Sequence, residues 1–126
     1  MRKVTAIFDI GKTNKKFFLF DKQHQEVYRE YAQFDTIVDE DGHPTEDLAA
    51  LRKWLKDVFK RLLGNKEYSI TAINFSSYGA SLVHLDKNGE ILTPLYNYTK
   101  SINPELMVAF LQKYDHEKEF STNTGA

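Results

Sequence analysis

The chain has 126 residues, 41% of them hydrophobic and 13% aromatic, which is enough to bury one core but leaves little room for a second domain. Its 17 Lys and Arg against 18 Asp and Glu give a net charge of -1, so no long-range attraction to nucleic acid or to an anionic membrane is expected. With no cysteine, it can form neither a disulfide nor a Cys-ligated metal site. No apolar run approaches the roughly 18 residues of a membrane span, and no signal-peptide pattern is present. We therefore expect a cytoplasmic protein.

The first third of the chain has the pattern of three consecutive β-strands. Two β-rich runs, residues 4–8 and 17–20, flank a polar, glycine-containing turn at residues 11–15, which predicts a hairpin. After a second turn, residues 26–34 alternate in the manner of a third, half-exposed strand. The acidic residues 35–44 are predicted to form a loop.

A long amphipathic helix is predicted next. Apolar residues recur at helical spacing between positions 48 and 62, and Trp54 lies on this stripe, where a core role is favoured over a stacking platform. Thr45 is the predicted N-cap, with the acidic residues Glu46 and Asp47 at the positive end of the helix dipole. Gly64 is the predicted C-terminal cap.

The remaining pattern predicts a strand, a hairpin and a second helix. Residues 69–75 form a β-rich run after a helix, which favours a parallel strand inside the sheet. The Asn88-Gly89 pair lies between apolar segments and predicts a hairpin turn. Pro104 is placed to begin a helix that continues to Tyr114. Residues 115–126 are polar and have few apolar anchors.

The turn between the first two strands carries groups that suit a nucleotide. Gly11 relieves steric demand, and the residues after it supply N–H groups, hydroxyl and amide donors, and cations for terminal phosphates: Lys12, Thr13, Asn14, Lys15 and Lys16. Asp9, at the end of a buried strand, supplies a carboxylate for Mg²⁺. The pattern alone leaves an ordinary hairpin turn with solvated lysines as an equal alternative.

A resemblance to a known family separates these two alternatives. The motif Asp-x-Gly-x-(Thr/Ser)-(Ser/Asn)-x-(Arg/Lys) between two apolar strands resembles the first phosphate motif of FGGY carbohydrate kinases. The matching residues are Asp9, Gly11, Thr13, Asn14 and Lys16. A second match follows in the right order, because residues 73–89 resemble the family's strand, polar glycine-containing segment and hairpin. The resemblance covers essentially the whole chain.

The fold that the resemblance implies is an α/β, ribonuclease-H-like (actin-like ATPase) N-terminal subdomain. Its mixed sheet has the order β-β-β-α-β, followed by a hairpin and a helix, as in the pattern above. Residues 1–126 would be the N-terminal portion of the first domain of a kinase several hundred residues long. We therefore expect a truncated chain without the second domain.

The activity that the resemblance implies is transfer of the ATP γ-phosphoryl group to a sugar hydroxyl, with Mg²⁺ as the metal. Asp9 would act in the metal shell, Thr13 and Asn14 would touch phosphate oxygens, and Lys16 would neutralise developing charge. The general base in such kinases is an Asp from a later segment, which is expected beyond Ala126. No catalytic residue is therefore expected within this chain, and the chain alone is expected to be inactive.

The sugar side is expected at two segments. Tyr78, Gly79 and Ala80 fall where the family places substrate contacts, and the aromatic-Gly pair is similar to the rhamnulokinase and fuculokinase branch, although Ser76-Ser77 replaces that branch's Asp-Thr. Asn97 and Tyr98 lie where many relatives carry an aromatic residue followed by Asp-x-Arg, and here both Asp and Arg are missing. The expected partner is a small-molecule sugar, with a homodimer left open.

Three other interpretations stay open at this point. The missing Asp-x-Arg favours a non-catalytic sugar- or nucleotide-binding regulator on the same fold. A ribonuclease-H-like nuclease would use Asp9 as a two-metal ligand, but the segment Phe75-Ser76-Ser77 supplies no second carboxylate. The acidic residues 39–41 are expected to be solvated, with a loose Ca²⁺ contact as the alternative.

Overall fold

The computed structural model describes residues 1–114, which form a four-stranded mixed sheet with one long helix against it. The elements in chain order are β1 (Arg2–Ile10), β2 (Lys15–Phe20), β3 (Glu26–Ala32), β4 (Thr36–Val38), β5 (Pro44–Glu46), α1 (Leu48–Gly64), β6 (Tyr68–Ser77) and α2 (Pro104–Tyr114). The sheet order is β3-β2-β1-β6, antiparallel except for the parallel pair β1 and β6. The predicted β-β-β-α-β order of the main sheet is confirmed.

The core lies between α1 and one face of the sheet. Alternate residues of β1 and β2 point toward the helix and are buried, as the two-residue period of a strand requires. The buried apolar residues are Val4, Ala6, Phe8, Ile10, Phe17, Leu19, Val58 and Leu62. The Phe8 ring is central, with the Trp54 ring edge-on to it at 5.8 Å between centroids. Trp54 is therefore a core residue, as predicted.

The same alternation decides which polar side chains can meet near the end of β1. Asp9 of β1 is the register partner of Lys16 of β2, and both side chains lie on the face opposite α1. Lys15, one residue earlier, points to the helix face and is 3% exposed. The two neighbouring lysines are therefore separated by the sheet.

The beginning and end of α1 differ from the prediction. Thr45 belongs to β5, and its hydroxyl donates a hydrogen bond to the carbonyl of Leu95, so it is unavailable as a cap. Asp47 is the N-cap, and its carboxylate accepts the Ala50 N–H at 2.9 Å. Asn65, in extended backbone, caps the C-terminus in place of Gly64, which is the last helical residue. Tertiary contacts override the local capping pattern at the first turn.

The connection before α1 is also more ordered than predicted. The acidic stretch 35–44, predicted as a loop, forms most of the two-stranded β4–β5 hairpin, which is closed by a turn in which the Asp39 N–H donates to the His43 carbonyl at 2.9 Å. Glu46 is the last residue of β5 and not part of the helix. The hairpin therefore fixes the position of Glu46 before α1 begins.

The second half of the described chain is more open than the first. Strand β6 pairs in parallel with β1 as predicted, but it forms the edge of the described sheet, and Phe75 is 54% exposed. The predicted hairpin around Gly89 is present as two isolated bridges, and Gly89 has a φ of +80°. Helix α2 follows the prediction and buries none of its side chains within residues 1–114.

The polar stretch 115–126 lies outside the described residues. The general base that the resemblance implies is expected beyond Ala126, so its position stays a prediction. Among the helices of residues 1–114, none is both long and apolar enough to cross a membrane.

Candidate functional site

The turn between β1 and β2 depends on a glycine for its shape. A Cβ added at Gly11 would lie 2.7 Å from the carbonyl oxygen of Asn14, which is closer than real Cβ contacts allow. The side chains of Thr13 and Asn14 are exposed, and the Asn14 amide oxygen accepts a hydrogen bond from Gln33 on the segment after β3. The turn is therefore tight, and its polar side chains are accessible to a ligand.

Asp9 and Lys16 form an open pair beside this turn. The Lys16 Nζ lies 3.4 Å from the Asp9 Oδ2, and the two side chains are 37% and 35% exposed. Within residues 1–114, no group of three or more acidic or histidine side chains could hold a metal ion by itself. One carboxylate nevertheless fits Mg²⁺, which proteins commonly bind through one or two carboxylates together with substrate phosphates and water.

Lys15 lies on the other side of the sheet and is paired. Its Nζ is 2.6 Å from the Glu46 Oε2 and donates a second hydrogen bond, of 2.8 Å, to the carbonyl of Lys12. The ammonium group is therefore bonded to the turn on the side of the sheet that faces α1, and it points away from Asp9. We leave Lys15 out of the nucleotide site proposed below, although the sequence placed it there.

Glu46 joins the turn to the predicted sugar segment. Its second oxygen, Oε1, accepts the Tyr78 hydroxyl at 2.6 Å, and the Tyr78 N–H donates to the Ile10 carbonyl at 3.2 Å. Burial, with the nearby Glu46 carboxylate, raises the pKa of Tyr78, so its hydroxyl remains a donor. Sequence analysis missed Glu46 as a site residue. The sequence indicates only that a lysine on the inward register of β2 requires a carboxylate partner, and it does not identify Glu46 as that partner.

Lys12 is the second link between the two predicted sites. Its Nζ donates to the Asn97 Oδ1 at 3.0 Å and lies 4.3 Å from the centre of the Tyr98 ring. Asn97 is buried, and the same oxygen accepts the Thr99 N–H at 3.2 Å. The Tyr98 N–H in turn donates to the Ser81 Oγ at 3.1 Å. The structure thus brings a predicted phosphate residue against two predicted sugar residues.

Gly79 and Ala80 form an exposed bend after Tyr78. A Cβ at Gly79 would meet no protein atom within 4 Å, so packing within the described chain does not require glycine there. Ala80 has a φ of +59°, in the left-handed region that disfavours a Cβ. The segment therefore combines open space at Gly79 with backbone strain at Ala80.

Of the acidic residues 39–41, Glu40 and Asp41 are exposed as expected from sequence, but Asp39 is buried, which corrects the expectation for that residue. Lys100 lies 2.6 Å from the carboxylates of both Asp39 and Asp41, and the Tyr96 hydroxyl donates to Glu40 at 2.7 Å. The hydrogen bond from Lys100 holds the pKa of Asp39 below its usual value. Lysine and tyrosine thus occupy the carboxylates that the Ca²⁺ alternative would need. The contacts hold the tip of the β4–β5 hairpin against the segment that contains Asn97.

The family model described as the FGGY family of carbohydrate kinases, N-terminal domain, matches residues 4–126. No curated protein sequence matches the chain. The family match spans nearly all of the sequence, including the turn and both predicted sugar segments.

Solved structures share the same fold. A carbohydrate kinase from Novosphingobium aromaticivorans is 25% identical with a TM-score of 0.74, over 88% of this chain and 23% of that protein. A xylulose kinase from Lactobacillus acidophilus is 21% identical with a TM-score of 0.72, over 95% of this chain and 24% of that protein. A glycerol kinase from Plasmodium falciparum is 17% identical with a TM-score of 0.66, over 90% and 24%.

The chain thus spans about a quarter of the length of these relatives. The matches confirm the predicted α/β, ribonuclease-H-like (actin-like ATPase) fold class. Since the family model covers 4–126 of 126 residues, the chain belongs to the FGGY family of carbohydrate kinases.

Proposed function

We propose that the protein, at its full natural length, transfers the γ-phosphoryl group of Mg-ATP to a hydroxyl of a small-molecule sugar. The observation that carries this proposal is the contact between the phosphate turn and the sugar segment, where the Lys12 Nζ lies 3.0 Å from the Asn97 Oδ1. A phosphoryl donor and a sugar acceptor must meet at one place, and membership of a carbohydrate kinase family supports the pairing.

On the nucleotide side, the residues would act by position and charge. Asp9 would hold Mg²⁺ directly or through water, and Lys16 would exchange its contact with Asp9 for the phosphate oxygens. Backbone N–H groups after Gly11, together with the exposed side chains of Thr13 and Asn14, would bind the terminal phosphates. When bound, Mg²⁺ would neutralise charge on those phosphates.

On the sugar side, we favour a deoxysugar or ketose similar to rhamnulose or fuculose. The support is the Tyr78-Gly79 pair and the open space beside Gly79, which would let a sugar approach the backbone. Ala80, Asn97 and Tyr98 would complete the wall of this pocket.

The general base is proposed to lie in a later segment, beyond Ala126, as in other kinases of this kind. Residues 1–126 alone are therefore expected to be inactive. We place the reaction in the cytoplasm, where ATP is the common phosphoryl donor, and leave a homodimer open.

A second candidate is a regulator that binds a sugar or a nucleotide without turnover. The observation that favours it is the segment 96–101, which lacks the family's Asp-x-Arg and in which Lys100 is fully engaged with the acidic residues Asp39 and Asp41. This candidate uses the same site and differs only in the absence of phosphoryl transfer.

The test is phosphorylation by the full-length protein with Mg-ATP across a panel of ketoses and deoxysugars. Turnover with at least one sugar is expected. The rate of phosphorylation should fall at least 100-fold in Asp9→Asn, whereas the control Lys53→Met, which loses only an exposed lysine, should keep the wild-type rate. Nucleotide or sugar binding without turnover on any sugar would favour the regulator. The absence of both binding and turnover would refute both candidates.

A further inference from the structure

Lys15, Glu46 and Tyr78 form a partly buried chain of contacts that the proposed reaction does not yet use. Lys15 is 3% exposed and the Glu46 side chain 13% exposed, and their charged atoms are 2.6 Å apart. The Glu46 carboxylate is shared, with Oε2 facing Lys15 and Oε1 accepting the Tyr78 hydroxyl at 2.6 Å. One carboxylate thus connects the strand that follows the phosphate turn to the first residue of the sugar segment.

Both ends of this chain are also attached to the turn backbone. Lys15 donates to the carbonyl of Lys12 inside the turn, and the Tyr78 N–H donates to the carbonyl of Ile10 just before it. The Tyr78 backbone is therefore fixed beside β1, and its side chain is fixed through Glu46 and Lys15. A displacement of Glu46 would move the sugar segment relative to the turn.

The presence of a charged pair at Lys15 and Glu46 is not explained by stability alone. A buried ion pair recovers its desolvation cost only with good geometry and further hydrogen bonds, and well-packed apolar residues of similar volume often do as well. Here the carboxylate oxygens and the ammonium group find partners in the turn and in the sugar segment. The arrangement therefore fixes a geometry between two segments that are distant in sequence.

We infer that Lys15 is a positioning residue, which sets the place of the sugar segment Tyr78–Ala80 relative to the phosphate turn by orienting Glu46. This inference rests on the proposed kinase function. It replaces the direct contact with nucleotide that the sequence predicted for Lys15. The consequence is that loss of Lys15 affects sugar recognition more than nucleotide binding. The turn would lose one hydrogen bond, to the Lys12 carbonyl, but would keep its strand pairing on both sides, whereas the Tyr78 side chain is held through Glu46.

The experiment compares Lys15→Met with wild type in the full-length protein, with Lys53→Met as the matched control. Lys53 is 78% exposed and forms an ion pair with Asp57 within one helix, so the control removes a lysine-carboxylate contact away from the site. Steady-state kinetics are measured at a temperature where circular dichroism finds each variant folded. We expect the KM for sugar to rise at least tenfold in Lys15→Met and the KM for Mg-ATP less than threefold, with partial rescue by Lys15→Arg.

A wild-type KM for sugar in folded Lys15→Met would overturn the inference, as would an equal rise in both KM values. Should Lys15→Met fail to fold, Tyr78→Phe is the alternative variant, because it breaks only the contact between the Tyr78 hydroxyl and Glu46. The KM for sugar should then rise about fivefold, and an unchanged KM would overturn the inference. If the wild type turns over no sugar, the proposed function has failed separately. Backbone amide hydrogen exchange then tests the inference, because the amides of residues 78–80 should exchange at least tenfold faster in Lys15→Met than in Lys53→Met. Equal exchange rates in the two variants would overturn it.

Discussion

The phosphate turn and the sugar segments are held in place by different kinds of interaction. The turn lies between two strands that are paired residue by residue, with Asp9 opposite Lys16 and Ile10 opposite Lys15. Residues 78–80 and 95–100 lie outside the strands and helices. They have a few backbone hydrogen bonds, such as that of the Tyr78 N–H to the Ile10 carbonyl, and otherwise depend on individual side-chain contacts, such as that of Lys100 with Asp39. The turn is therefore determined by local sequence, and the sugar segments by residues far away in the chain.

This difference predicts two kinds of sensitivity. Changes in backbone shape should damage the turn, while loss of a single charge or hydroxyl should displace a sugar segment. Four variants, Lys15→Met, Gly11→Ala, Ala80→Gly and Lys100→Met, test that difference.

The largest effect on stability is expected from Lys15→Met. This change leaves the Glu46 carboxylate partly buried without its cation, and breaking a buried ion pair from one side costs about 3 kcal/mol or more. Chemical denaturation of both variants measures the cost. The control Lys53→Met removes an exposed pair and should change the free energy of unfolding by less than about 0.5 kcal/mol. Equal effects of the two changes would contradict the buried role of Lys15.

The next effect is expected from Gly11→Ala, which acts through the backbone. The new Cβ would meet the Asn14 carbonyl oxygen at 2.7 Å, so the turn must shift, at a cost of about 2 kcal/mol. Affinity for Mg-ATP, measured by calorimetric titration, should fall at least tenfold. In Gly79→Ala the new Cβ meets nothing within 4 Å, so stability should stay within about 0.5 kcal/mol of wild type. Unchanged nucleotide affinity in Gly11→Ala would refute the proposed role of the turn.

A smaller, stabilising effect is expected from Ala80→Gly. The φ of +59° at Ala80 costs a residue with a Cβ about 1 kcal/mol, and glycine removes that cost while adding entropy to the unfolded chain. The net gain should be a few tenths of a kcal/mol in thermal or denaturant unfolding. His24, also at a φ of +59° but in the turn between β2 and β3, offers a matched variant, His24→Gly, with a similar gain. A loss of stability in Ala80→Gly alone would mean that the Ala80 side chain makes contacts that offset the strain.

The smallest effect concerns pH and the contact between Lys100 and Asp39. The hydrogen bond from Lys100 lowers the pKa of Asp39 in the folded protein. The contribution of the ionised Asp39 to stability is therefore fully present above its pKa in the unfolded chain, about 3.9, and is lost as the pH falls through its folded pKa. The Lys100→Met variant should therefore lose less stability than wild type between about pH 4 and pH 2. Denaturation curves across this range measure the difference. The same loss of unfolding free energy between about pH 4 and pH 2 in both proteins would show that Lys100 does not lower the pKa of Asp39.

The sequence predicted the parts of the fold that depend on local pattern. The β1–β2 hairpin, α1 and the parallel β6 follow from strand alternation, helical spacing and element order. The N-cap prediction was wrong because Thr45 bonds to Leu95, 50 residues away, and no local pattern reveals such a partner. The same holds for the pairing of Lys100 with Asp39.

The candidate site divides in the same way. The residues of the turn could be named from its motif, and their proposed contacts with phosphate and metal stay predictions. The location of Lys15 could have been predicted, since Lys15 and Lys16 must lie on opposite faces of one strand. Glu46 could not have been placed beside Tyr78 without the β4–β5 hairpin that holds it there.

The most direct test of the central claim is a crystal structure of the full-length protein with Mg²⁺ and a non-hydrolysable ATP analogue. We expect terminal phosphate oxygens within hydrogen-bond distance of the N–H groups after Gly11, with Mg²⁺ coordinated by Asp9 at about 2.1 Å or through one water. We also expect Lys15 to remain paired with Glu46 while Lys16 turns toward the phosphates. Phosphates bound away from this turn, or Lys15 in contact with them, would contradict the proposed nucleotide site.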